Sequence, residues 1–349
     1  MITRNSVSTE QLTEGVEFEK FSNTFRTLTG FDAKVFSFPG LRKRDLSGNL
    51  SILATMHNNE KVMMTYRGNS HLAKLEALVL KNLSECGASV PRLLNQSGNW
   101  LIQEYLGDAR LSQSLNIDDE KLKLNLLEDG LSSLQENQNI ALQIGLNDLV
   151  LPICNNDAWR NERVRYLDEL GRVTKIPSPK INKEKVFNLL KVKPLSFIKW
   201  DARPGNAIVR ENKNVFWFDW EHCGLRAGID DLVWFLCDEW ISCNENTETL
   251  LIDKFVQHFD RNELNVPRLK YVYVHGTVHM CGKLLKIIQK KVETNWWSRD
   301  FCLKFEQMGI TLNEAKKLAR KASRWARNDQ LTAPLSNWLI DVEDIIERI

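Results

Sequence analysis

The apolar positions Leu12, Val16, Phe18, Phe21, Phe25 and Leu28 recur at near-helical spacing and stop at Gly30. That pattern predicts a leading helix over 9–29 with a glycine terminator. Three short runs with strand character follow, at 34–37, 50–55 and 61–67, separated by the turn signals Pro39-Gly40 and Asn58-Asn59. Leu72, Leu75, Leu78, Val79 and Leu83 then share one face of a helix predicted over 71–86, with Gly87 as its stop. Residues 91–94 and 99–105 form a strand pair turning at Ser97-Gly98. Beyond Asp108 the pattern is mainly helical. One interruption stands out: the apolar runs 207–209 and 215–218 flank polar Glu211-Asn212-Lys213-Asn214, a hairpin pattern.

That hairpin carries the chemistry. It opens with Lys199-Trp200-Asp201-Ala202-Arg203-Pro204-Gly205-Asn206 and closes with Asp219-Trp220-Glu221. Kinase-type phosphoryl transfer needs such a layout. A first Asp orients or deprotonates the hydroxyl acceptor, and an Asn and a second Asp hold the metal that screens the phosphates. A hairpin would bring Asn206 and Asp219 together at its base, two oxygen ligands suited to octahedral magnesium. The segment resembles the catalytic stretch of the aminoglycoside phosphotransferase and choline kinase superfamily, a protein-kinase-like fold whose members read His-Gly-Asp-Leu-His-x-x-Asn and then Ile-Asp-Trp/Phe-Glu. Asp201, Asn206, Asp219 and Glu221 match position by position. Lys199 stands in place of the family His, and Trp200 in place of a small Gly.

The resemblance extends to Val90-Pro91-Arg92-Leu93-Leu94 and to Leu101-Ile102-Gln103-Glu104-Tyr105-Leu106-Gly107, and so covers about residues 20–240. It implies a bilobal α+β fold: a leading helix and small antiparallel-sheet nucleotide lobe over 1–103, a hinge at 104–110, and a larger, mainly helical catalytic and substrate lobe over 111–349. It further implies that Arg67 ends the third strand as the phosphate-gripping cation, paired with Glu76 on the next helix. The backbone of Glu104 and Leu106 would meet the adenine. Glu221 would assist at the metal or acceptor, and Asp231, in Gly228-Ile229-Asp230-Asp231-Leu232, would brace the catalytic loop. Asp201 would be the catalytic residue, with Asn206 and Asp219 as ligands of Mg2+. The loop at 38–49 lacks a Gly-x-Gly-x-x-Gly, but its backbone amides and Arg42, Lys43 and Arg44 could cover phosphates.

Composition narrows the partners. The 349 residues, 43% hydrophobic and 26% charged, suffice for one large domain or two lobes. A net charge of +2 gives no global field pointing to nucleic acid or to a membrane. No apolar run approaches a bilayer span. Seven scattered cysteines without a Cys-x-x-Cys pair fit reduced thiols, and the first residues lack the apolar core of a signal peptide, so a cytoplasmic location is expected. His275 and His279, four apart, lack the further ligands that zinc needs and are expected to be structural. The basic run 316–327 fits the solvated face of a helix, with contact to an anionic substrate or nucleic acid as the alternative. Trp296, Trp297, Trp325 and Trp338 fall where the family builds its acceptor pocket, although large aromatics more often fill cores.

The sequence therefore predicts a phosphotransferase using ATP (or another NTP) and Mg2+ on a hydroxyl of a small molecule: a sugar, aminosugar or amino alcohol. A nucleotide-binding pseudokinase with a regulatory role is the alternative. A protein kinase is a further one, opposed by the missing Ala-Pro-Glu-type anchor and the short segment before Gly228. Asp238-Glu239 and Glu245 are the nearest carboxylates for a cationic acceptor. Trp200 is expected to pack against apolar helices, and Lys199 to face solvent or to pair with Asp231.

Overall fold

Strands form where β-branched and aromatic residues alternate around a partner, and the first half of the chain builds one sheet this way. The computed structural model describes residues 11–39, 48–259, 264–305 and 307–349. They fall into two units: Met1–Asp108 with Phe216–His222, and Ala109–Val215 with Cys223–Ile349.

In the N-terminal unit six strands, β1 (Gln11–Leu12), β2 (Ala33–Ser37), β3 (Leu50–Met56), β4 (Lys61–Tyr66), β5 (Leu93–Ser97) and β6 (Trp100–Glu104), lie in the order β1-β2-β3-β4-β6-β5. Every neighbouring pair is antiparallel. The leading helix is shorter than its apolar pattern, Val16–Thr29, because Gln11 and Leu12 pair with Ser37 and Phe36 at the sheet edge. Its buried residues Phe21, Phe25 and Leu28 close over Phe36, whose ring lies 5.4, 6.0 and 6.1 Å from those of Phe18, Phe21 and Phe25. The second helix, Ser70–Glu85, starts at Asn69, whose side chain accepts from the His71 N–H. Its buried face carries Ala73, Ala77, Val79, Leu80 and Leu83, and also Glu76. A carboxylate on an apolar face marks a position that needs charge, because burying one unpaired costs several kcal/mol.

In the C-terminal unit β7 (Ser196–Ile198) pairs antiparallel with β10 (Gly224–Arg226). Strand β8 (Ala207–Val209) leads into the expected turn, closed by the Arg210 N–H donating to the Asn214 carbonyl at 2.9 Å, and β9 (Val215–Trp217) carries the chain on into the N-terminal unit's segment. The rest is helical. The helix Arg268–Thr294 runs through the middle of the unit, buried on most faces from Tyr271 to Ile288. It packs against Asp157–Thr174 and Leu312–Ala326, and Gly276 and Gly282 make that approach possible. A Cβ on Gly276 would strike the Trp325 ring, and one on Gly282 the Tyr166 ring. No helix among the described residues is long and apolar enough to cross a membrane.

This close approach gives a direct test. Gly276→Ala should overpack the contact with Trp325 and Cys237 and destabilise the protein by about 1–3 kcal/mol. The measurement is the urea midpoint; an unchanged midpoint would mean that the two helices part at no cost.

Candidate functional site

In the N-terminal unit four charged side chains converge. Arg67 follows β4 and is 4% exposed, Glu76 is fully buried, and Glu221 is 5% exposed. The Arg67 guanidinium forks onto Glu76, with Nε donating to Oε2 at 2.6 Å and Nη2 to Oε1 at 2.9 Å. Nη2 also donates to Asp219 Oδ1 at 2.7 Å, and Nη1 lies 3.4 Å from Glu221 Oε1. A planar, permanently charged fork suits this arrangement. Burial works against the Arg67 charge, but Glu76, Asp219 and Glu221 together hold its pKa above the ordinary value. Glu221 is itself raised, by burial and by neighbouring Asp219, with Arg67 opposing. Asn49 Nδ2 donates to both Glu221 oxygens at 2.7 and 2.8 Å, while its Oδ1 accepts from the Gly68 N–H at 3.2 Å. The Trp220 N–H donates to Glu76 Oε1 at 3.1 Å, and the Trp217 N–H to the Ser89 carbonyl at 2.9 Å. These bonds fasten Phe216–His222 into the N-terminal unit. Asp219 sits at φ 62, a left-handed conformation that Asp adopts more readily than most residues.

In the C-terminal unit the loop after β7 turns on Asp231. This carboxylate, fully buried, accepts from the backbone N–H groups of Lys199 and Trp200, each at 2.9 Å, and from Gln138 Nε2 at 2.9 Å. Burial pushes Asp231 up to about 7, against the pull of those hydrogen bonds and of the Lys199 charge. Asp231 thus bonds the loop through its backbone. Lys199 does not face solvent, being 1% exposed. Trp200 takes φ 58, an unusual conformation for so bulky a residue, and the bond to Asp231 helps to fix it there. Its ring is buried among aromatics, 5.8 Å from Trp159 and 5.0 Å from Trp234, as its size led us to expect. Next in the loop, Asn206 Nδ2 donates to Asp201 Oδ2 at 2.8 Å and to its carbonyl at 3.1 Å. The Asn206 amide nitrogen is therefore spent on Asp201, and only its carbonyl oxygen could serve a cation.

Behind Trp200 lies a buried polar knot. Arg226 pairs with Asp230 at 2.6 Å, Tyr271 donates to Asp230 at 2.6 Å, and His275 Nδ1 lies 2.9 Å from the same carboxylate. Burial lowers both His275 and His279. These histidines are structural, and no group of His, Cys, Asp and Glu among the described residues is arranged to hold a metal by itself. Asp238 and Glu239 are buried and closed off. Lys283 reaches Asp238 at 2.5 Å and also pairs with Glu239, while the Gly309 N–H donates to Glu239 Oε1 at 3.0 Å. Arg203 of the Asp201 loop is 3.8 Å from Glu239.

Glu104 ends β6 with its N–H donating to the Arg92 carbonyl at 2.9 Å, and Leu106 lies in the coil just beyond. Arg42, Lys43 and Arg44 lie outside the described residues. The basic run 316–327 is largely neutralised: Lys316 pairs with Glu347, Arg320 with Glu343 and Arg324 with Glu248. Trp325 is core, and the Trp338 indole donates to the Ile176 carbonyl at 3.0 Å. The sequence reading missed Asn49, Gln138 and Arg203. Asn and Gln carry no spacing signal of their own, whereas Arg203 lies inside the motif and was readable as a charge beside Asp201.

No protein-family model matches the chain, and no curated protein matches it in sequence. Solved structures do. An amicoumacin kinase, hAmiN, in complex with AMP-PNP, Ca2+ and Ami aligns over 87% of this chain and 93% of its own, with a TM-score of 0.52 and 12% identity. A spectinomycin phosphotransferase, APH(9)-Ia, in complex with ADP and its antibiotic aligns over 96% and 100%, with a TM-score of 0.51 and 12% identity. What is shared at that identity is the fold. The α+β, kinase-like fold expected from the Asp201 to Glu221 segment is borne out.

Three substitutions at two positions test this geometry. Arg67→Ala leaves three carboxylates facing one another without their cation and should cost about 3–5 kcal/mol, the scale for breaking a buried ion pair; a denaturant melt matching wild type would show the cluster to be solvated. Trp200→Ala should destabilise by about 3–5 kcal/mol, as loss of a buried Trp does. Trp200→Gly, which accepts positive φ freely, should be the more stable of the two by about 1 kcal/mol, the reverse of their order at an ordinary buried site. Equal melts would remove the backbone argument.

Proposed function

We propose that the protein is a phosphotransferase that uses ATP and magnesium to phosphorylate a hydroxyl of a small molecule. One observation carries the reading: the buried Arg67 guanidinium is forked by Glu76 and also holds Asp219, with Glu221 beside them, so the cation assigned to the phosphates and the carboxylate assigned to the metal meet in one cluster. The motif assigns the metal two hard-oxygen donors, the Asp219 carboxylate and the Asn206 amide carbonyl, and hard oxygens suit magnesium, which takes one or two protein ligands and completes its shell with phosphates and water. When bound, Mg2+ supplies charge neutralisation for the phosphate oxygens.

The chain's own residues do the rest. Asp201 holds the acceptor hydroxyl and takes its proton. Its Oδ2 is occupied by Asn206, so Oδ1 is the oxygen that receives it. The acceptor oxygen bonds to the γ-phosphorus as the bond to the bridging oxygen breaks, and ADP leaves. Arg67, oriented by Glu76, keeps Asp219 in place and lends positive charge to the phosphates. The backbone of Glu104 and Leu106 is assigned to the adenine. Asp231 keeps the turn before Asp201 in shape. Positioning and electrostatics account for the catalysis. All seven cysteines are free, which fits a reducing cytoplasm. A second reading, nucleotide binding without transfer, draws support from the depth of Arg67, whose guanidinium is already committed to carboxylates.

The two readings separate cleanly. Asp219→Asn should weaken magnesium-dependent ATP binding sharply. Asp201→Asn should leave that binding nearly intact while cutting turnover by roughly 10²–10⁴, the value of a positioned base. Thermal-shift titration with Mg-ATP and a steady-state ADP-release assay read the two effects. Full magnesium dependence in Asp219→Asn would overturn the metal assignment, and an Asp201→Asn enzyme as fast as wild type would overturn the base.

A further inference from the structure

The C-terminal unit contains a cavity of about 320 Å3, within the size range of small-molecule sites. Its walls come from the segment Leu115–Asp118, the start of the helix Glu120–Gln143, the stretch from Trp240 to Ser242, and the helices Arg299–Lys304 and Leu312–Ala326. Two of these walls connect to the Asp201 loop. Leu115 continues the helix Leu111–Ser114, which packs against Pro204–Asn206 and β8. Trp240 adjoins Glu239, which faces Arg203 at 3.8 Å.

The chemistry of the lining is basic. Lys123, Arg299 and Lys317 line the cavity against one carboxylate, Asp118. Lys123 shares its charge with exposed Glu120 at 2.6 Å. Arg299 pairs with buried Glu314, donates to Asn116 Oδ1 at 3.1 Å, and lies over the Trp240 ring at 5.2 Å, so its guanidinium is held in one orientation. Lys317 differs from its neighbours in the basic run. Lys316, Arg320 and Arg324 are paired, and Lys321 donates to the Leu236 and Ile241 carbonyls at 2.8 and 2.5 Å. Lys317 has no acidic partner among the described residues, and it lines the cavity. The carboxylates that could have received a cationic acceptor, Asp238 and Glu239, are spent on Lys283 and Arg203.

From this arrangement we propose that the cavity binds the acid group of an anionic acceptor, a hydroxyl compound bearing a carboxylate or a phosphate, with Lys317 and Lys123 as its direct contacts and Arg299 as a fixed third donor. The word acceptor rests on the phosphotransfer reading; the anion site does not. Charge-assisted hydrogen bonds of this type are strong and short-ranged, so the site should distinguish an acid from the matching neutral polyol.

The test uses the full-length protein and one six-carbon skeleton in three forms: sorbitol, gluconate and glucitol 6-phosphate. Calorimetric titration should show at least one of the two acids binding about tenfold or more tightly than sorbitol, the scale of one charge-assisted hydrogen bond. Whether gluconate or the phosphate binds more tightly identifies the acid group. The double variant Lys123→Gln/Lys317→Gln, its fold checked by circular dichroism, should lose that preference. No preference in wild type, or a preference that survives in the double variant, would overturn the proposal. Mg-ATP binding is read in parallel: an anion preference without nucleotide binding would keep the cavity and sink the phosphotransfer reading, and nucleotide binding without the preference would do the reverse.

Discussion

The bidentate bond between Arg67 and Glu76 is the constraint from which the rest of the candidate site follows. A buried guanidinium cannot shed its proton, so the fold around it must supply carboxylates. Glu76 supplies one from an otherwise apolar helix face, while Asp219 and Glu221 arrive on a short returning segment. Buried ion pairs add little net stability, because desolvation offsets the attraction. What they provide here is geometry. The same Glu76 that forks Arg67 also receives the Trp220 N–H, and Asn49 ties Glu221 to the backbone of Gly68. The returning segment is therefore held by polar bonds at Ser89, Glu76, Arg67 and Asn49, which fix the orientation of Asp219.

The loop that carries Asp201 follows the same logic with different groups. A carboxylate buried beneath it, Asp231, replaces solvent for two consecutive backbone N–H groups. Such satisfaction is obligatory for buried backbone donors. It also allows a large residue into a conformation that glycine usually occupies: Trp200 is kept in place by the amide bond on one side and by Trp159 and Trp234 on the other. The motif that this segment resembles has a small residue there; in this chain the ring is accommodated by the fold and lies in the core.

Much of this was legible in the sequence because the informative residues are local. The strands over 50–55 and 61–67 and the helix over 71–86 were readable from period and turn residues, and they appear as Leu50–Met56, Lys61–Tyr66 and Ser70–Glu85. The leading helix was drawn too long because Leu12 satisfies a helical period as well as a strand; only its partner Phe36, distant in sequence, decides. The Asp201 to Asn206 motif was readable as a unit, but the bond between the two side chains at 2.8 Å was not part of that reading. The setting of Lys199 was not legible, because nothing in a tripeptide shows that its environment is buried. Nor were Asn49 and Gln138, whose roles depend on what meets them from segments far along the chain.

The set of Asp238, Glu239 and Lys283, with Arg203 at its edge, has a consequence for how the molecule responds to ionic strength. Both carboxylates are buried against the Lys283 ammonium, so dissolved salt has little to screen there. Lys317, on the cavity wall without an acidic partner among the described residues, is in the opposite situation and is open to counterions. Added salt should therefore leave the buried groups beside Asp201 intact while progressively weakening the pull of the cavity wall on any anion, so that in this protein affinity and architecture are governed by separate electrostatic regimes.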